Sequence, residues 1–184
     1  MTAFIIIAVI VIVLAIMLGN MYNGLVRLRN QVRNSWAQID VQLKRRHDLI
    51  PNLVETVKGF AGHEKETLDA VTKARYTAVD AKTVGEQNAA EQNLSGALGR
   101  LMLIVENYPD LKANQNFLAL QTELSSTEDE IGRARQQYNQ TVMQMNTRVE
   151  SFPTNLVAGV FGFKSEEFFE VTAKEERNVP KVEF

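Results

Sequence analysis

The sequence predicts an all-α protein: a single amino-terminal transmembrane helix, a bundle of four further helical stretches, and an irregular aromatic carboxy-terminal tail. Three observations predict it. From Ala3 to Leu18 no residue is charged or strongly polar. From Leu25 to Phe152, apolar residues recur in steps of four and three over several long stretches, the period of one helix face. Past Pro153 that period gives way to a Gly-bearing, Phe-rich segment. The 184 residues therefore divide into an anchor over 1–22, a bundle over 23–152 and a tail over 153–184.

The anchor comes first. Its apolar run includes Phe4, Ile7, Val11, Leu14 and Leu18, and its Ile, Val, Leu and Phe residues together favour insertion by roughly 4–7 kcal/mol with no charge opposing them. A run of that length reaches only about 24 Å, short of the roughly 30 Å hydrocarbon layer. Gly19 to Tyr22 complete the crossing, with Tyr22 at interfacial depth. A cleaved signal peptide is the rival reading. It needs a basic leading region and a small-residue cleavage site, and neither is evident, so a permanent anchor is expected. No Lys or Arg precedes the run, whereas Arg27, Arg29 and Arg33 follow it. By the positive-inside rule the short amino terminus lies outside and the bundle is cytoplasmic. Ala15 and Gly19 form a small-xxx-small pair, a spacing common by chance that also lets two anchors touch.

The first bundle helix carries the stripe Val32, Trp36, Ile39, Leu43, Arg46, Ile50, Leu53, Val57 and Phe60, extended back through Leu25 and Leu28. Such a helix buries too little of itself alone and needs partners along its length. Pro51 removes the hydrogen bond to the carbonyl of His47. Because the stripe stays in phase beyond it, a kink is expected and not an end; Gly59 and Gly62 mark the end.

Lys44-Arg45-Arg46 interrupts this picture. Arg46 stands about 42 Å along the axis from Leu18, several times the roughly 8 Å Debye length, so lipid charge does not account for the cluster. The leading expectation is a solvated face, with Arg46 carrying its head out of the stripe. The sharper alternative pairs the cluster with carboxylates of another helix or subunit, for which Glu128-Asp129-Glu130 is the candidate.

Three more helices are expected. One runs from about Glu64 to Ala81, with Leu68, Val71, Ala74 and Ala78 inward. The next covers about Asn88 to Tyr108, with Leu94, Leu98, Leu101 and Val105, and ends at Tyr108-Pro109-Asp110. The last, about Asn114 to Phe152, keeps its stripe longest, through Phe117, Leu120, Leu124, Thr127, Ile131, Ala134, Tyr138, Thr141, Met145, Val149 and Phe152. In the tail, Phe161, Phe163, Phe168, Phe169 and Phe184 form an apolar patch. Either it packs over one end of its own bundle, or it docks onto a neighbouring subunit.

Composition excludes several functions. Formal net charge is −2, 45% of residues are hydrophobic and 23% charged, which excludes global disorder and a general nucleic-acid binder. There is no cysteine, hence no disulfide, thiolate metal site or cysteine nucleophile. His63-Glu64 begins like a zincin motif, but Thr67 stands where the second histidine belongs, and no Glu-x-x-His pair exists. No catalytic residue, cofactor or metal site is expected.

Several long runs resemble the LemA family of bacterial membrane proteins. They are WAQIDVQLKRRHDLIPNLVETVKGFAGHEKET (Trp36 to Thr67), Ala74-Arg75, YPDLKANQNFLALQTEL (Tyr108 to Leu124), ARQQYN (Ala134 to Asn139), FPTNLVAGVFGF (Phe152 to Phe163), and FFE before the closing PKVEF. Met145 stands where the family has an aromatic before Asn146. The resemblance implies a LemA-like antiparallel four-helix bundle behind a single amino-terminal span, and it implies no activity.

The function expected is a self-associating scaffold or protein-interaction module at the bacterial inner membrane. Its partners are the lipid bilayer, further copies of the chain and other membrane proteins, with no nucleic acid. An enzyme is disfavoured, there being no phosphate-cradling loop, metal spacing or nucleophile constellation. A ligand-binding sensory bundle is the alternative. With only Met1 and Thr2 before the apolar run, it needs a partner membrane protein to carry a signal across.

Overall fold

The computed structural model describes Met1–Phe169, so the expected contribution of Phe184 lies outside the described residues. All regular secondary structure among them is helical. Helix α1 (Thr2–Phe60) runs without a break from the apolar run into the bundle, about 88 Å at 1.5 Å per residue. Its buried side begins at Leu25 and follows Val32, Ile39, Leu43, Arg46, Ile50, Leu53 and Val57. Phe60, expected to close that stripe, is 43% exposed, and Ala61 is buried in its place. The helix ends at Phe60, so the chain leaves the stripe's phase there.

Pro51 sits inside α1 and the helix continues through it, with Ile50 and Leu53 both buried on either side. The carbonyl of His47, which the proline cannot bond, accepts instead from Arg75 Nε at 2.6 Å.

Helices α2 (Lys65–Asp80) and α3 (Val84–Val105) form a hairpin. α3 starts four residues before the expected Asn88. Its cause is a capping box: the Glu86 amide donates to the Thr83 hydroxyl at 3.1 Å, and the Glu86 carboxylate accepts from the Thr83 amide at 3.2 Å. A single turn, α4 (Pro109–Lys112), follows at the expected proline corner. α5 (Gln115–Glu150) is capped by Asn114, whose side chain accepts from the amides of Asn116 and Phe117.

The segment after Pro153 is not wholly irregular as expected. Thr154–Phe161 forms α6, ended by Gly162 in the left-handed region at φ 70°. Its continuous apolar run hides a period: Thr154, Val157 and Ala158 turn inward, the rest outward. Gly162 then releases the chain into an extended stretch along α5.

α1 and α5 lie antiparallel, as the Ser35–Thr141 and Arg45–Glu123 pairs require. Two cores sit along this pair. The one far from the apolar run joins Ile50, Leu53 and Val57 to Val71, Leu94, Leu101, Leu111 and Phe117, with four helices contributing besides α1. The nearer one joins Leu25, Val32, Ile39 and Leu43 to Ile131, Tyr138, Val142 and Met145, and is completed by Val157, Phe163 and Phe169. The α2–α3 hairpin thus closes the far half, whereas α6 and the stretch after it close the near half.

Candidate functional site

The anchor residues Phe4, Ile7, Val11, Leu14 and Leu18 are all exposed, and no residue from Thr2 to Asn20 is buried. This part of α1 is long and apolar enough to cross a membrane.

Farther along α1 lies a buried ionic cluster. Arg46 does not carry its head to solvent, contrary to the leading expectation: it is 4% exposed. Its Nη1 donates to Glu91 Oε2 at 3.2 Å and its Nη2 to Ser95 Oγ at 2.9 Å. Glu91, 1% exposed, also pairs with His47 Nε2 at 2.6 Å and accepts from Gln87 Nε2 at 3.1 Å. A buried guanidinium needs such a carboxylate, because an unpaired charge in a low-dielectric interior is far costlier than a paired one. Sequence reasoning misses Glu91, although it lies three residues before Leu94 and seven before Leu98, on the same stripe. An acid on one buried stripe and a base on another is the signal that could have found it.

The other charged candidates are spread apart. Arg45 pairs with Glu123 of α5, and Arg46 Nη2 reaches Glu128 at 3.7 Å across the rim. Lys44 pairs with Asp48 one turn along α1 at 3.4 Å, and Glu130 accepts from Arg133 at 2.6 Å. Asp129 is exposed. Of the acidic run on α5, only Glu128 meets the basic cluster among the described residues.

The aromatic candidates divide likewise. Phe169 is 1% exposed, lying 6.1 Å from the Trp36 ring and beneath the Arg135 guanidinium at 4.3 Å. Phe163 is buried against Tyr22, 5.8 Å between ring centres, with Arg29 over it at 5.1 Å. Both rings are therefore packed against their own chain, the first of the two alternatives for the tail at these two positions. Phe161 and Phe168 do face outward. Burial holds Arg135 below the ordinary arginine range, with Arg46 adding to the shift and Glu91 and Glu128 opposing it.

Hydrogen bonds fix the extended stretch. Asn139 accepts from the Phe169 amide at 2.8 Å and donates to its carbonyl at 2.9 Å. Asn146 does the same for Glu166, at 2.8 and 2.9 Å. Between them the Tyr138 hydroxyl donates to the Glu167 carbonyl at 2.9 Å. Burial, with the Glu166 and Glu167 charges adding, pushes the Tyr138 phenol up to about 12.

The opposite side of the near half stays uncovered. Gln31, Asn34, Gln38, Gln137 and Gln144 line one open groove between α1 and α5. Gln42 Oε1, one turn farther on, is buried without a hydrogen-bond partner. Each amide both donates and accepts, so this face can pair with a copy of itself.

Comparison with known proteins agrees with these features. The sequence profile described as the LemA family matches residues 35–184. Protein LemA of Metamycoplasma hominis is 32% identical over 140 residues, which cover 74% of this chain and 63% of that protein. Magnetosome protein MamQ 2 of Paramagnetospirillum magneticum is 26% identical over 175 residues, 81% of this chain and 64% of that protein. Magnetosome protein MamQ of Magnetospirillum gryphiswaldense is 26% identical over 174 residues, 80% of this chain and 64% of that protein. The chain thus spans a little under two thirds of the length of these relatives. A helical bundle continuous with an exposed apolar helix, on a sequence matched by this profile over most of its length, is a membrane-associated helical protein, and the chain belongs to the LemA family.

Proposed function

We propose that this protein is a membrane-anchored scaffold that acts through its surfaces and performs no catalysis. α1 spans the bacterial inner membrane once, with the bundle cytoplasmic. The apolar run supports the span, and Arg27, Arg29 and Arg33 support the orientation. Copies associate through the uncovered α1–α5 face, and other membrane proteins bind the assembled surface.

The observation that carries this reading is that face itself. One side of the near half is closed by α6 and the extended stretch, whereas the other leaves Gln31, Asn34, Gln38, Gln137 and Gln144 open. Amides suit a reversible, self-complementary contact better than charges, which would repel across a two-fold axis.

Mass photometry of the full chain in lipid nanodiscs or detergent tests it. The wild type should run at multiples of the monomer mass, and the pair Asn34→Glu with Gln38→Glu should shift it to monomer at unchanged helicity. A wild-type monomer at every concentration defeats the reading.

A further inference from the structure

α6 presents an apolar stripe that its own chain leaves open. Leu156 and Val160 are spaced by four, so they stand on one face of the helix; Phe152 stands just before it, and all three are exposed, Val160 by 81%. Phe161 beside them is 60% exposed. The opposite face, Thr154, Val157 and Ala158, is buried.

The position of this stripe matters more than its composition. Phe161 packs against Tyr22, the rings tilted by 56° with centres 4.8 Å apart, and Tyr22 follows the end of the apolar run at Leu18 by one helical turn. Thr154, which begins α6, lines the same open groove as Val13, Ile16 and Met17 of that run. The carboxy-terminal end of α6 is therefore tied to the first helical turn of α1 after the apolar run, and its start borders the same groove. Arg27 and Arg148 line the groove as well, two cations that suit an anionic leaflet. No acidic residue occurs between Phe152 and Phe163 to oppose contact with an anionic leaflet.

We propose that α6 is a second membrane contact: an interfacial helix whose exposed Leu156, Val160 and Phe161, with Phe152 just before them, lie in the headgroup–acyl boundary beside the emerging α1. Its occupant is lipid and not a second copy. Four side chains offer on the order of 400 Å², about half of the roughly 800 Å² per partner of a stable protein interface. An interfacial helix seats its apolar face about 5–10 Å into the boundary. Two contacts also hold the bundle at a set angle to the membrane, where α1 alone leaves it free to swivel. The proposal rests on α1 being embedded, and its test reports on that separately.

The native chain has no cysteine, so single substitutions take one nitroxide label each. The full chain carrying Val11→Cys, Val160→Cys or Leu103→Cys is reconstituted into phosphatidylcholine–phosphatidylglycerol vesicles. Collision with oxygen is compared with collision with a water-soluble nickel chelate. Labels at 11 and 160 should favour oxygen, and the label at 103, exposed on α3 in the far half, should favour nickel. Nickel preference at 160 with oxygen preference at 11 overturns the second contact while leaving the anchor intact. Shielding at 160 from both reagents, with spin–spin broadening that persists on dilution with lipid, assigns the stripe to a second copy instead. Nickel preference at 11 removes the anchor, and α6's lipid seat with it. Circular dichroism of each labelled chain checks that the helices are retained.

Discussion

Arg75 Nε donates to the carbonyl oxygen of His47 at 2.6 Å, and that oxygen is the one Pro51 leaves without a helical donor. A defect in one helix is thus filled from the next. It lets α1 keep its buried stripe through the proline, and it fixes α2 at one height on α1.

The two residues should therefore couple. Arg75→Ala leaves a partly buried carbonyl unbonded and should cost about 1–3 kcal/mol. In a Pro51→Ala background the backbone amide restored at that position takes over the His47 oxygen, so Arg75→Ala should cost clearly less. A double-mutant cycle from thermal unfolding in detergent measures the coupling. Equal costs in both backgrounds mean that Arg75 acts by packing alone.

The cluster around Glu91 makes a stronger demand. Glu91→Ala strands the buried Arg46 guanidinium and should destabilise by roughly 3–5 kcal/mol. Arg46→Met with Glu91→Leu removes both charges and restores apolar volume, so it should recover most of that loss. Thermal unfolding of the wild type and both variants decides it. If the double variant is as unstable as Glu91→Ala, the cluster works through His47, Gln87 and Ser95 rather than the ion pair.

Much of this architecture is legible in the sequence, for a physical reason. Burial repeats with the helix, so Ile39, Leu43, Ile50, Leu53 and Val57 announce their face by spacing alone. Contacts between elements carry no period. Arg46 stands out as a charge in an apolar stripe, but its partner lies 45 residues away, and only matching it to an acid on another helix's buried stripe selects Glu91. The stretch after Gly162 is opaque for another reason. It is held by backbone bonds to Asn139 and Asn146, and any residue there carries the same backbone. α6 is hidden because an unbroken apolar run has no visible period until one side is covered.

Tyr138 makes the seat of that stretch sensitive to alkali. Its folded-state pKa lies at about 12, above the ordinary phenol value of about 10. The stability it adds is therefore complete below about pH 10 and is lost as pH rises through about 12, where the phenolate can no longer donate to the Glu167 carbonyl. Trp36 is the single tryptophan, 5.5 Å from the Tyr138 ring and 6.1 Å from Phe169, so its emission reports on the seat. The wild type should show a change between about pH 10 and 12 that Tyr138→Phe lacks. Identical titrations would place the transition elsewhere.

Asn139 and Asn146 hold the same stretch at matched spacings. Seven residues of α5 rise about 10.5 Å, and the three steps of extended chain from Glu166 to Phe169 cover about 10 Å. Each amide makes two bonds to backbone, worth about 0.5–1.5 kcal/mol apiece. Asn139→Ala should free Phe169 from Trp36 and shift the Trp36 emission to longer wavelength. Asn146→Ala should do so less, because Glu166 lies three residues before Phe169, which keeps its own clamp. Asn139→Asp is the finer test: it retains the acceptor for the Phe169 amide but sets a carboxylate oxygen against the Phe169 carbonyl. It should loosen the seat at least as much as Asn139→Ala despite its near-identical shape. Wild-type emission in Asn139→Asp would mean that Phe169 is held by its ring contacts with Trp36 and Arg135, and that the clamp only follows.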